Sequence, residues 1–281
     1  MNEIKNILVP IGGSIYSQNA LELAARFAKN FDASLRGLYI KDIRFFEGPW
    51  FKPLRGLVVS NPYFELKKCV EDSLEERAIK IRNYFEEVCR QACIKHEFEA
   101  YKGFPSEVIL NRAKKMDMVI MGKRGEHAKW LKARLGSESS RVLHEIDRPL
   151  LVVDQTLPME VKKILLCFAG GYFAQKALDL TRYLCEKNGF ELSVLTIATE
   201  ATKAIQVQGI AKDYFRKHFI KAQYLLSTGD IEKEVIKVKD VWAIDMLITG
   251  GSLHKKYEEF VSFSLADKIL YKSNIPVLFV R

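Results

Sequence analysis

ILVPIGGSIYSQNALELAARFAKNFDASLRGLYI, residues 7–40, is written a second time as ILLCFAGGYFAQKALDLTRYLCEKNGFELSVLTI, residues 164–197. The two stretches align without a gap. Ile7, Leu8, Gly13, Gln18, Ala20 and Leu21 return as Ile164, Leu165, Gly170, Gln175, Ala177 and Leu178. The distal parts return as well: DMVIMG (117–122) as DMLITG (245–250), and RPLLVV (148–153) as IPVLFV (275–280). Self-similarity of this kind means that one folding unit is present twice. The division falls near residues 154–160, which predicts a first domain over 1–154 and a second over 161–281.

Each copy has the same grammar. The apolar run Lys5–Ile11 predicts a strand buried on both faces, as in a parallel sheet covered by helices on both sides. A glycine turn follows, then a helix whose apolar stripe is Ala20, Leu21, Ala24, Phe27 and Ala28. Leu35–Ile40 is the second strand. A long helix follows from about Leu66 to Ile94, with Val70, Leu74, Ala78, Ile81, Phe85 and Val88 on its apolar side. Three further strands are expected at Glu97–Tyr101, Met118–Met121 and Pro149–Val153, with helices at Ser106–Lys115 and Ser137–Glu145 between them. Strands alternating with helices imply right-handed βαβ crossovers. The fold class is therefore α/β: two tandem copies of a five-stranded parallel sheet with flanking helices. Ligands of such sheets sit at the carboxyl ends of the strands, where the glycine turns lie.

The bulk numbers narrow the function. The 281 residues carry a net charge of +9, which favours anionic partners. No RNP-type or helix-turn-helix pattern supports nucleic acid as that partner. Five cysteines, an odd number, argue against a secreted disulfide framework, and the histidines show no metal-ligand spacing. No apolar run reaches the ~18 residues of a membrane span, and the start shows no signal-peptide core, so the expected compartment is the cytoplasm.

The stretch MGKRGEHAKWLKARLGSESS (121–140) carries the chemistry. It joins a buried strand to a helix through Gly122, Gly125 and Gly136, with Ser137 next. Glycines let the backbone approach a ligand, converging N–H groups hold an anion, and the helix adds its positive end. Lys123 and Arg124 supply charge, and the Ser137 hydroxyl is placed to cap the helix or touch a phosphate. Neither a P-loop nor a Rossmann fingerprint is present.

On these residues the chain resembles the universal stress protein family. ILVPIGGS is similar to that family's ILVPxDGS start, GKRGEHAKWLKARLGS to its G-x2-G-x9-G-[ST] motif, and RPLLVV to its last strand. The resemblance implies the five-stranded parallel fold and an adenine nucleotide, ATP or AMP, with or without Mg2+. It implies phosphate and ribose contacts at Gly122, Arg124, Gly125, Gly136, Ser137 and Glu138, and an adenine pocket at Pro10, Ile40 and Met121. Ile11 and Gly12 complete the cofactor-binding set. Gly12 stands where the family has an Asp, as does Ala169 in the second copy, and the motif's spacer has ten residues instead of nine. The resemblance also implies pairing of the two last strands within the chain, with a further homodimer left open.

In the second copy, TGGSLHKKYEEFVSFS (249–264), Leu253 and Phe263 replace the second and third glycines. A nucleotide site is expected in the first half alone. Residues 42–64, rich in aromatics, have no counterpart in the second copy and form either a lid, a surface for a protein partner, or a self-packed loop. The cysteines are expected in the core. Asp117 and Asp245, each before a fourth strand, are expected to fix turns. No catalytic or metal-ligating set emerges. The expected function is a nucleotide-responsive regulatory protein acting on an unknown protein partner. The alternatives are an interaction scaffold without nucleotide and a slow ATPase. An adenylating synthetase would need an Asp-Ser pair in the first turn, which IGGSIYS lacks.

Overall fold

A computed structural model describes residues 3–44, 61–125, 136–250 and 265–281. The first half runs β1 (Asn6–Pro10), α1 (Ile15–Phe31), β2 (Ser34–Asp42), α2 (Asn61–Gln91), β3 (His96–Gly103), α3 (Pro105–Ala113), β4 (Met118–Gly122), α4 (Ser137–Glu145) and β5 (Leu150–Val153). The second half repeats this order as β6 (Lys163–Cys167), α5 (Tyr172–Asn188), β7 (Glu191–Ile197), α6 (Ala201–Lys217), β8 (Ala222–Ser227), α7 (Ile231–Val241), β9 (Met246–Gly250), α8 (Leu265–Ser273) and β10 (Val277–Val280).

The ten strands form one sheet in the order β3-β2-β1-β4-β5-β10-β9-β6-β7-β8. Each half contributes a parallel set of five. The two sets meet at β5 and β10, which pair antiparallel with Leu151 opposite Leu278. Side chains alternate across the pleat, so successive residues serve different cores. Ile7 and Val9 pack in one apolar cluster with α1 and α2, while Leu8 packs in the other with Ile109 of α3 and Val142 of α4. That two-sided burial is why β1 reads as an unbroken apolar run. No helix among the described residues is long and apolar enough to cross a membrane.

Local signals set the element ends. Ser14 caps α1, its Oγ accepting from Ser17 N at 3.2 Å. Asp32 closes α1 in the left-handed region at φ 53°. Ala20, Leu21, Ala24, Phe27 and Ala28 are all buried, as the stripe requires. Asp117 Oδ2 accepts from Lys5 N and Asn6 N at 2.9 and 2.8 Å, and Asp245 Oδ2 accepts from Lys162 N and Lys163 N at 2.8 Å. These two carboxylates lock the start of each half's first strand to the start of its fourth.

The halves are also joined away from the sheet. Phe27 and Phe31 of α1 meet Phe190 and Tyr183 of the second half, with ring centroids 6.2 and 5.3 Å apart. Arg281 Nη1 donates to His144 O and Ile146 O at 2.8 and 3.0 Å, and His144 Nε2 lies 3.1 Å from Asp267 Oδ2. The carboxyl end of α4 is thereby fastened to the second half.

Two expectations need correction. The long helix starts at Asn61, not Leu66, so the last residues of the 42–64 segment are its first turn. Residues 45–60 lie outside the described residues, as does the reading of that segment as lid or partner surface. The cysteines are not all in the core: Cys89 and Cys185 are buried, but Cys69 and Cys93 are exposed. Cys93 lies past the end of α2 at φ 55°, in the turn into β3, where its side chain no longer follows the helix stripe.

Candidate functional site

A cavity of about 580 Å3 opens at the carboxyl end of the first half's sheet. Its floor is Pro10 at the end of β1, Ile11 and Gly12 just after it, Ile40 of β2, and Met121 with Gly122 at the end of β4. Arg124, Gly125 and Glu138 complete the part that the sequence singled out. Gly136 and Ser137 are not on its wall. Its remaining walls come from residues the sequence did not single out as binding groups. Leu38 and Tyr39 belong to β2, Val70 and Leu74 to α2, and Pro105 and Ile109 to α3. The two α2 residues were legible only as part of an apolar helix stripe. The walls are largely aliphatic, which suits a planar, weakly polar body such as a base.

The first turns of α1, α3 and α4 all border this cavity, through Ser17, Pro105 and Glu138. Helix N-termini carry partial positive charge and favour an anion. The turn before α1 is knit tightly. Ser17 Oγ donates to Gly12 O at 2.8 Å, and Ser14 Oγ donates to Arg124 O at 3.1 Å. The two glycine-bearing loops are thus tied to each other. Ser139 Oγ donates to Gly122 O at 3.2 Å and brings α4 onto the end of β4.

The three glycines do different jobs. A Cβ on Gly122 would lie 2.7 Å from the Tyr16 carbonyl carbon and 2.9 Å from Ser17 N. Gly122 therefore lets β4 pass under the start of α1. Gly250 has the same role in the second half, where a Cβ would lie 2.2 Å from Phe173 O. At Gly125 a Cβ would meet nothing within 4 Å among the described residues, so their packing makes no demand for glycine there. Gly136 is the α4 N-cap at φ −63°, with ordinary contacts of 3.5 Å to a would-be Cβ. Ser137 is the first residue of α4, and the N-cap Gly136 has no side chain to cap that helix.

Charges are also distributed differently from the expectation. Lys123 is not a phosphate ligand in waiting. Its Nζ lies 2.6 Å from Asp154 Oδ2, with side-chain exposures of 7% and 10%. It also donates to Tyr271 O of the second half at 3.5 Å. A carboxylate had to be found for a lysine this buried, and Asp154 at the end of β5 supplies it. Glu138 is engaged too: Oε2 accepts from Ser106 N at 2.8 Å, so a carboxylate already sits on the N-terminus of α3. Arg44 reaches the cavity from beyond β2 and meets both Asp42 and Glu138. Its hydrogen bonds to Asp42 hold the guanidinium above its ordinary pKa, and burial raises that of the Tyr39 phenol. Among the described residues no group of three His, Cys, Asp or Glu side chains could hold a metal ion.

In the second half Gly170 and Gly171 adopt φ of 76° and 84°, and Val207 of α6 comes within 3.6 Å of a would-be Cβ on Gly170. Leu253, Phe263 and Ser264 lie outside the described residues.

Residues 3–154 match the model of the universal stress protein family. The universal stress protein Slr1230 of Synechocystis is 27% identical over 289 aligned positions, covering 99% of this chain and 100% of the relative. The universal stress protein MJ0531 of Methanocaldococcus jannaschii is 29% identical over 154 positions, covering 54% of this chain and 83% of the relative. Among solved structures, a universal stress protein from Archaeoglobus fulgidus superposes with a TM-score of 0.76 at 19% identity, over 98% of this chain and 97% of that one. At that identity the likeness speaks for the fold.

Proposed function

The chain belongs to the universal stress protein family, and we propose that its first half is a receptor for an adenine nucleotide, ATP or AMP, whose occupancy a protein partner reads. One observation carries the proposal. Nine of the eleven residues that the sequence marked for a nucleotide line a single cavity at the carboxyl edge of the sheet. Its volume of about 580 Å3 lies within the usual range for small-molecule pockets. Three helix N-termini border it, and aliphatic side chains make up much of its wall. The described residues offer no catalytic constellation there, so the proposed role is binding and signalling rather than turnover. The second domain, 161–281, serves as the structural partner of the first, 1–154, through β5 and β10. Five unpaired cysteines suit a reducing cytoplasm.

Thermal unfolding with millimolar ATP, AMP and GTP tests this. A ligand at ~100 times its dissociation constant stabilises the fold by about 2.7 kcal/mol. Stabilisation by adenine nucleotides and not by GTP is the expected result. The absence of any shift, in protein shown by mass analysis to carry no nucleotide, would sink the proposal. The second reading is a scaffold that has left nucleotide binding. It draws on the sequestered Lys123 and the bare Gly12, which remove two groups that could hold a ligand. Empty protein with no shift would favour it.

A further inference from the structure

The polar groups that cross the cavity are not those of the glycine motif. Arg44 Nε lies 2.9 Å from both carboxylate oxygens of Asp42, and its Nη2 also contacts Asp42. Its Nη1 lies 2.9 Å from Glu138 Oε1, in the first turn of α4. The order of the strands gives this bridge its meaning. β1 lies between β2 and β4 in the sheet. Arg44 follows β2, and α4 follows β4. The bridge therefore runs from one neighbour of β1 to the other, across the carboxyl end of β1. At that end sits Gly12, where an added Cβ would meet nothing within 4 Å. The chain offers no charged side chain at Gly12 and brings charge in from both sides instead.

The two contacts of Arg44 are unequal. Asp42 takes the Nε–Nη2 edge through several bonds, and its side chain is 15% exposed. Glu138 takes Nη1 alone, and that contact is partly solvated, with side-chain exposures of 51% for Arg44 and 29% for Glu138. A solvated ion pair is weak and is displaced at little cost. A phosphate group is the natural competitor, because it carries more charge and accepts from a guanidinium with matched geometry. Resting on the nucleotide reading above, we propose that Arg44 is the residue that selects a phosphate-bearing ligand. Asp42 orients its guanidinium, and Glu138 occupies Nη1 until the ligand's phosphate replaces it. Glu138 keeps its second oxygen on Ser106 N throughout.

The test is calorimetric titration of the full chain with adenosine and with ATP, in the wild type, Arg44→Gln and Glu138→Gln. Adenosine has the base and ribose without phosphate. A hydrogen bond to a charged group corresponds to roughly a tenfold or greater change in affinity. Arg44→Gln is expected to weaken ATP by about that factor and to leave adenosine within roughly twofold. Glu138→Gln removes the competitor's charge while its amide oxygen still accepts from Ser106 N. It is expected to tighten ATP several-fold without changing adenosine. Equal losses of ATP and adenosine in Arg44→Gln, no loss of either, or weaker ATP binding in Glu138→Gln would each overturn the inference while leaving the nucleotide site in place. A wild type that binds neither ligand would overturn the nucleotide reading, and this inference with it.

Discussion

Substitution of Gly122 and Gly125 by alanine should separate packing from function in one loop. The residues are three apart, yet their surroundings are opposite. At Gly122 the new methyl would lie 2.7 Å from the Tyr16 carbonyl carbon, 2.8 Å from Tyr16 Cβ and 2.9 Å from Ser17 N. Carbon contacts relax to roughly 3.5–4.0 Å, so ~1 Å of overlap must be absorbed. Two of the three atoms are backbone and cannot swing aside. The backbone on either side has little room: β4 is held between β1 and β5, and the start of α1 is pinned by its Ser14 cap. Overpacking of this kind costs about 1–3 kcal/mol. At a few degrees of melting midpoint per kcal/mol, roughly 2–4 °C each, the Gly122→Ala midpoint should fall by several degrees. Among the described residues nothing approaches a Cβ at Gly125, and its φ lies outside the left-handed region. Alanine there should leave stability within about 0.5 kcal/mol, or raise it slightly by restricting the unfolded chain. Its cost should appear in nucleotide affinity, because the methyl projects where a ligand would approach. Differential scanning calorimetry and titration with ATP read the two effects. A Gly122→Ala protein as stable as wild type, or a Gly125→Ala protein that loses several degrees, would refute the division of labour between these glycines.

Three further outcomes follow from the same geometry. Lys123→Met strands the Asp154 carboxylate in a site where both partners are about nine-tenths buried; it should cost about 3–5 kcal/mol in urea unfolding, and a cost under about 1 kcal/mol would contradict the burial. In native protein only the exposed Cys69 and Cys93 should alkylate quickly, since burial pushes the thiols of Cys89, Cys167 and Cys185 up to about 12; nucleotide should slow Cys69, which lines the cavity, and leave Cys93 unchanged. Those three thiols, with the Tyr214 phenol also raised to about 12 by burial and by its bond to Asp179, keep protons in the folded chain that the unfolded chain releases. Stability is therefore fully present below about pH 8.5 and should fall as pH rises toward 12; a midpoint that does not move between pH 8 and pH 10.5 would count against it.

Much of this molecule is legible in the chain itself. The doubled ILVP and ILLC stretches announce two units, because sequence similarity over a whole βαβ segment has no cheaper cause than a repeated fold. The apolar run at Lys5–Ile11 and the three-or-four spacing from Val70 to Val88 name strand and helix, because each depends only on neighbours in sequence. The glycines at the ends of β1 and β4 mark the edge of the candidate site for the same reason: a turn between strand and helix is a local event. Even the turn-fixing carboxylates were readable, as Asp117 and Asp245 recur at matching places.

What the tertiary structure alone decided is which partner each polar group meets. Lys123 and Arg124 are neighbours in a basic loop and look equivalent in sequence. Only the fold brings Asp154 and the Tyr271 carbonyl to Lys123 and takes it out of the site. Gly122 and Gly125 differ only because α1 crosses above one of them. Arg44 and Glu138 lie in different crossovers and meet because the sheet order sets β2 and β4 on either side of β1. Periodicity and turn chemistry act over a few residues, so the sequence by itself determined the strands, the helices, the repeat and the edge of the sheet where the proposed site lies. Ion pairs and close approaches join residues far apart in the chain, so the charges and the shape of that site were decided only when the sheet assembled.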